Sequence, residues 1–188
     1  MMKKVNVFLA DGFEEIEGLT VVDLLRRAGI EVCTVSVTKD QLIHGAHGIH
    51  VVADVLFEEM ESDMAEMLVL PGGMPGTTHL KDHDGLTELI ETFHAQEKYI
   101  AAICAAPSIL GGLGILKGRK ATCYPSVEDQ LTGAVVEQVP VVIDGHIITG
   151  RGMGTAIDFS LAIITELVDT KKAKEIADAV VYPMTNRL

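Results

Sequence analysis

The chain has 188 residues, 48% of them hydrophobic, and a formal charge of −12 with an isoelectric point of about 4.9. That length suits one domain spanning residues 1–188, large enough to bury roughly 70% of its unfolded surface. The acidity repels a phosphate backbone and no basic stripe with interleaved aromatics occurs, so nucleic acid is not expected as a partner; the longest apolar runs, such as Met67 to Leu70, fall far short of the about 20 residues of a spanning helix, so no membrane segment is expected.

In chain order, Lys3 and Lys4 lead into a strand instead of a secretory apolar stretch, which points to the cytoplasm. That strand, Val5 to Ala10, closes at Asp11-Gly12. Ile16, Leu19, Val22, Leu25 and Ala28 then recur at helical spacing until Gly29. Ile30 to Val37 is rich in β-branched residues and completes a βαβ unit, whose two strands must be parallel. His44 to Val52, broken by glycines, reads as a short hairpin or irregular surface strand. Met67 to Leu70 is a buried strand ending in Pro71-Gly72-Gly73, followed by a helix from Leu86 to about Gln96. Tyr99 to Ile103 is a fourth strand. It runs into Cys104-Ala105-Ala106-Pro107, and proline suits the first turn of the helix implied by Ile109, Leu110 and Leu113. Val135 to Ile143 and Ile147 to Thr149 flank Asp144-Gly145, a hairpin signal if His146 opens the return strand. Two helices close the chain, one with Ala156, Phe159, Ile163 and Leu167 on a face, the other from Lys171 to about Val181.

Alternating strands and helices predict a mostly parallel sheet covered on both faces. Ligands of such sheets bind beyond the carboxyl ends of the strands. Asp11 to Glu17, Pro71 to Gly73 and Cys104 are therefore expected to meet. A cysteine on a strand-to-helix turn is exposed at the sheet edge, where amide groups favour its thiolate. A neighbouring carboxyl helps only if it holds its proton and donates to sulfur, since a carboxylate opposes ionisation of the thiol. Glu14, Glu15 and Glu17 crowd one helical turn, which favours a retained proton, and helical geometry points to Glu17 or Glu14. Gly72 or Gly73 could offer an unblocked amide that, with that of Ala105, forms an oxyanion hole. Cys33 and Cys123 read as small buried hydrophobes. The three cysteines include no Cys-x-x-Cys pair and suggest reduced thiols. His44, His47 and His50 are spaced by three, but on an extended, glycine-broken segment three imidazoles do not converge, so no metal is expected.

Gly12 to Glu17, Asp23 to Gly29, Leu70 to Gly73, Ala102 to Pro107 and Arg151 to Thr155 together resemble the ThiJ/PfpI superfamily, most closely its deglycase branch. The resemblance implies a flavodoxin-like three-layer α/β sandwich, a homodimer, and a reactive cysteine, Cys104, hydrogen-bonded to a protonated Glu17, with the amides of Gly73 and Ala105 around it. It implies a cofactor-independent enzyme acting on reactive dicarbonyls or early glycation adducts. The alternatives are a redox-sensing or chaperone-like stress protein that uses Cys104 oxidation, and an amidase or peptidase. Tyr124 stands before Pro125 where the deglycase has histidine, and Ala105 follows the cysteine where the protease branch has histidine, so peptide hydrolysis is disfavoured. His47 lies near the deglycase's arginine and Met153 replaces a cleft proline. With Glu14 and Tyr124 they are the expected pocket residues.

Overall fold

The computed structural model describes residues 3–61 and 64–183. Strand β1 (Lys4–Leu9) leads into helix α1 (Glu15–Arg27), which ends where Gly29 adopts φ +80° and Ile30 N donates back to Leu25 O. Strand β2 (Glu31–Ser36) returns parallel to β1, pairing Lys4 with Glu31 through Leu9 with Ser36. Next come the β3 (Leu42–His44) and β4 (His50–Val52) hairpin, edge strand β5 (Val55–Leu56), β6 (Met67–Leu70), α2 (Gly76–Lys81), α3 (Asp84–Ala95), β7 (Tyr99–Ile103) and α4 (Pro107–Gly112). The chain continues through β8 (Lys120–Ala121), β9 (Val135–Val136), β10 (Val141–Asp144), β11 (Ile147–Gly150), α5 (Ala156–Leu167) and α6 (Thr170–Ala179).

The main sheet has the order β10-β11-β7-β6-β1-β2-β5, and β10 alone runs antiparallel to its neighbour. Each strand alternates between two cores, as the pleat requires. Val5, Val7 and Leu9 of β1 pack with Val21, Leu25, Phe159 and Ile163 of α1 and α5. Phe8 packs on the other face with Leu68, Leu86, Ile90 and Leu110. The result is the expected flavodoxin-like sandwich, in which each fully buried Leu, Val, Ile or Phe contributes about 1.5–3 kcal/mol. Among the described residues no helix is long and apolar enough to cross a membrane.

Two local expectations need correction, and one short helix is unforeseen. The apolar stretch from Val135 to Ile143 is two strands, because Pro140 has no amide hydrogen for a ladder; β9 pairs with β8, and β10 begins at Val141. The hairpin turn is Gly145-His146, with Asp144 still paired to Ile147, so His146 does not open the return strand. The short α2 follows Pro-Gly-Gly, where periodicity over six residues is too brief to read.

Candidate functional site around Cys104

Every strand end that topology brings together carries one component of the site. Cys104 is the residue after β7, and it adopts φ +65°, a left-handed conformation that costs a side-chain-bearing residue of order 1–3 kcal/mol. The backbone holds it there from both sides: Cys104 N donates to Gly150 O at 3.0 Å, and Cys104 O accepts from Tyr124 N at 2.8 Å. The side chain is neither sealed nor fully exposed. It lines a cavity of ≈ 510 Å³ shared with Glu14, Glu17, Gly73, Met74, Ala105, Tyr124, Ser126, Val127 and Met153.

Glu17 lies on the buried side of the first turn of α1, with no solvent exposure. Its Oε2 accepts from Gly72 N at 2.9 Å, its carboxyl hydrogen-bonds the Cys104 thiol, and its Oε1 is buried without a hydrogen-bond partner among the described residues. An orphaned carboxylate oxygen away from water is costly, and a proton relieves it. Accordingly burial pushes Glu17 up to about 7, against the opposing hydrogen bonds from Cys104 and Gly72 and with a further push from Glu14.

The sulfur is subject to the same kinds of influence. Burial, then the charge and hydrogen bond of Glu17, push the Cys104 thiol up to about 12, while the amides of Ala105 and Gly73 pull it down. The expected lowering of the thiol is not met: burial first, and then the charge of Glu17, outweigh the two amides. The pair therefore holds two protons below about pH 7 and one above it. When that one proton sits on Glu17, the opposing charge is gone and the two amides are left against burial alone.

Pro71-Gly72-Gly73 is more than a turn. A Cβ on Gly72 would lie 2.6 Å from Cys104 Cβ and 2.7 Å from Glu17 Oε2, so only glycine lets these two side chains close on the strand end. Gly73, at φ +94°, would place a Cβ 2.3 Å from Glu14 N. Three amides divide the work: that of Gly72 goes to Glu17, and those of Gly73 and Ala105 go to the sulfur.

Of the other expected pocket residues, Glu14, Tyr124 and Met153 line the cavity and His47 does not. His47 sits in the β3–β4 turn, its Nδ1 3.0 Å from Glu15 Oε2 and 3.4 Å from Glu14 Oε2, and these carboxylates raise its pKa. Glu15 is the clasp of that hairpin. Burial pushes its carboxyl up, but hydrogen bonds from its own amide, the His47 side chain and the amides of His47 and Ile49 prevail and hold it below the usual range. Ligand atoms of Glu14, Glu15 and His47 lie within 4.8 Å of one another, a spacing their ion pairing already explains. His44 and His50 stack edge to face with ring centres 4.5 Å apart, away from this cluster, so the three hairpin imidazoles do not converge.

Met74, Ser126 and Val127 are cavity residues that the sequence did not single out; each lies one to three residues from a motif that it did. Among the described residues no histidine lines the cavity. His79 contacts Asp11 O, His83 caps α3, and His146 pairs with His94 at 2.9 Å. Cys123 is buried and pushed up to about 11 by burial and Glu128, and Cys33 is raised by burial and Asp54. Both suit packing.

Residues 3–166 match the family model described as DJ-1/PfpI family. The chain is 36% identical over 181 residues to Protein DJ-1 homolog B of Arabidopsis thaliana; the match covers 95% of this chain and 41% of that relative, so the chain spans less than half its length. It is 35% identical over 153 residues to Deglycase PYRAB04690 of Pyrococcus abyssi, covering 80% of this chain and 91% of that one. The solved structure of oxidized Toxoplasma gondii DJ-1 superposes with a TM-score of 0.92 at 38% identity, covering 96% of this chain and 98% of that one.

Proposed function

This chain belongs to the DJ-1/PfpI family, and we propose that it is a cofactor-independent, Cys104-dependent enzyme that converts reactive 2-oxoaldehydes, free or released from early glycation adducts, to hydroxy acids. One observation carries this reading: a cysteine strained onto an elbow, opening on a cavity, bonded to a carboxyl that holds a proton up to about pH 7.

The Cys104 thiolate adds to the aldehyde carbon, the C–S bond forms, and the carbonyl electron pair moves to oxygen, which takes the Glu17 proton. The Glu17 carboxylate then removes the hydrogen of that carbon as a proton and returns it to the adjacent ketone carbon, while the new hydroxyl passes its proton to the ketone oxygen. The aldehyde carbon rises to a thioester as the ketone carbon falls to an alcohol, so no outside oxidant is needed. Water cleaves the thioester and restores the thiol. The amides of Gly73 and Ala105 are the donors proposed for the oxygen that gains charge. Recombinant protein is expected to turn methylglyoxal into lactate, and Cys104→Ser to abolish this; equal turnover by the variant ends the reading. The absence of histidine from the cavity lining supports setting peptidase chemistry aside.

A second reading is oxidation sensing. The half-buried sulfur with two amide donors and a proton-bearing carboxyl suits a stable oxidised form, and the similar Toxoplasma gondii structure is that of an oxidized protein. Two added oxygens confined to Cys104 after mild peroxide, without dicarbonyl turnover, favour it over catalysis.

The assembly proposed is a homodimer in the cytoplasm. Ile16 of α1 and Ile49 beside β4, 51% and 53% exposed, border one mostly apolar groove with Leu19 and Ile157, a patch that a partner surface would cover. A monomer in sedimentation velocity removes the dimer, and recovery in a membrane or secreted fraction removes the location.

A further inference from the structure

The cavity has more room than a three-carbon substrate needs. Its ≈ 510 Å³ falls among pockets of about 300–1,000 Å³ that hold drug-sized ligands. Beyond the reacting groups, the uncharged side chains of the lining are Met74, Tyr124, Ser126, Val127 and Met153: two thioethers, a phenol ring, one hydroxyl and a branched aliphatic chain. The charge-bearing side chains in the lining are acids. Glu14 and Glu17 both border the cavity, and among the described residues no lysine, arginine or histidine does. The nearest cation to Glu14, His47, sits on the outer side of the helix turn with two-thirds of its side chain in solvent and is already shared with Glu15.

From these walls we infer that the site selects uncharged 2-oxoaldehydes carrying an aliphatic or aromatic substituent and rejects those whose tail ends in a carboxylate, with Glu14 the residue that sets this choice. A tail carboxylate placed in the cavity gives up water and meets Glu14 with no lining cation to pair with; an apolar tail of the same length gains contact with Met74, Val127 and Met153. Glu17 is needed by the reacting carbonyl. Glu14, one turn-edge away and backbone-bonded to Gly72 O at 2.9 Å, stands where the tail must pass.

The inference rests on the proposed addition of Cys104 to aldehydes, and the test separates the two. The full-length protein is given 4-methyl-2-oxopentanal and 4,5-dioxopentanoate, 2-oxoaldehydes of similar length that differ in an isopropyl or a carboxylate end. Two quantities are read: kcat/KM for hydroxy acid formation, and protection of Cys104 from iodoacetamide, which reports C–S bond formation without turnover. The expected result is a preference for the neutral compound of about tenfold or more in both, a discrimination of about 1.4 kcal/mol. Glu14→Gln is expected to narrow the ratio at least about threefold by improving the anionic compound, whereas Glu14→Asp, which keeps the charge, retains it. Protection by the neutral compound alone with no turnover of either upholds the selectivity and defeats the proposed conversion to hydroxy acids. Equal use of the two compounds, protection by neither, or an unchanged ratio in Glu14→Gln overturns the inference.

Discussion

Replacing Glu17 with glutamine gives a direct count of the protons held by the Cys104 pair. Glu17 is fully buried and its carboxyl is raised from an ordinary 4.5 to about 7. A carboxyl raised on folding keeps a proton that the unfolded chain has lost, so stability must fall as pH rises between those two values and then level off. The interval is about 2.5 pH units, and one proton per molecule is worth about 1.4 kcal/mol per unit, so the native protein gives up roughly 3 kcal/mol across it. Glutamine keeps the shape and the acceptor for Gly72 N but cannot ionise. Urea unfolding of both proteins at fixed protein concentration, at half-unit steps from pH 4.5 to 8.5, yields the difference between them; other carboxylates cancel in it. The variant is expected to gain on the wild type steadily up to about pH 7, reaching roughly 3 kcal/mol, with no further gain above. A difference that stays flat over this range means that folding does not change the proton count of the pair. The thiolate and neutral acid would then already be the resting form at pH 5, and burial would not be adding a second proton to the pair.

Two further substitutions probe the frame around that pair. Gly72→Ala drives a methyl to 2.6 Å from Cys104 Cβ and 2.7 Å from Glu17 Oε2 and is expected to cost about 1–3 kcal/mol, as overpacking does, and to shift Cys104 alkylation by iodoacetamide; unchanged stability and reactivity would show that strand β6 yields freely. Glu15→Gln weakens the clasp on the amides of His47 and Ile49 and is expected to destabilise by about 1.5–3 kcal/mol near neutral pH, the worth of hydrogen bonds to a charged group. Because its carboxyl is held below the usual range, that contribution is complete above pH 4.5 and fades as pH falls through the lowered value; a penalty that persists undiminished in acid would refute the ionic clasp.

The parts of this site legible in the sequence are those fixed by topology and by backbone. A βαβ start, a strand ending in Pro-Gly-Gly and a strand ending in Cys104 must converge at one sheet edge, and they do. Helical geometry leaves the choice between Glu14 and Glu17 open because residues three apart share a side; the structure separates Glu17 and Glu15 by neighbours that lie far off in sequence. Glu17 meets Gly72, 55 residues away, and Glu15 meets His47, 32 residues away. Long-range pairing of this kind leaves no periodic trace, and for the same reason His47 could be placed near the cavity yet belong to the clasp behind it. The Val135 to Ile143 stretch failed differently: its composition is that of a strand, but Pro140 divides it, and its halves answer to different partners, β8 and β11. The thiol is the most instructive case. Sequence supplies the amides that favour its ionisation and the acid that opposes it, but which prevails depends on how much water the fold removes from both, a quantity set by the core of the sheet and not by any motif. That burial makes Glu17 the member of the pair that takes up the second proton below about pH 7.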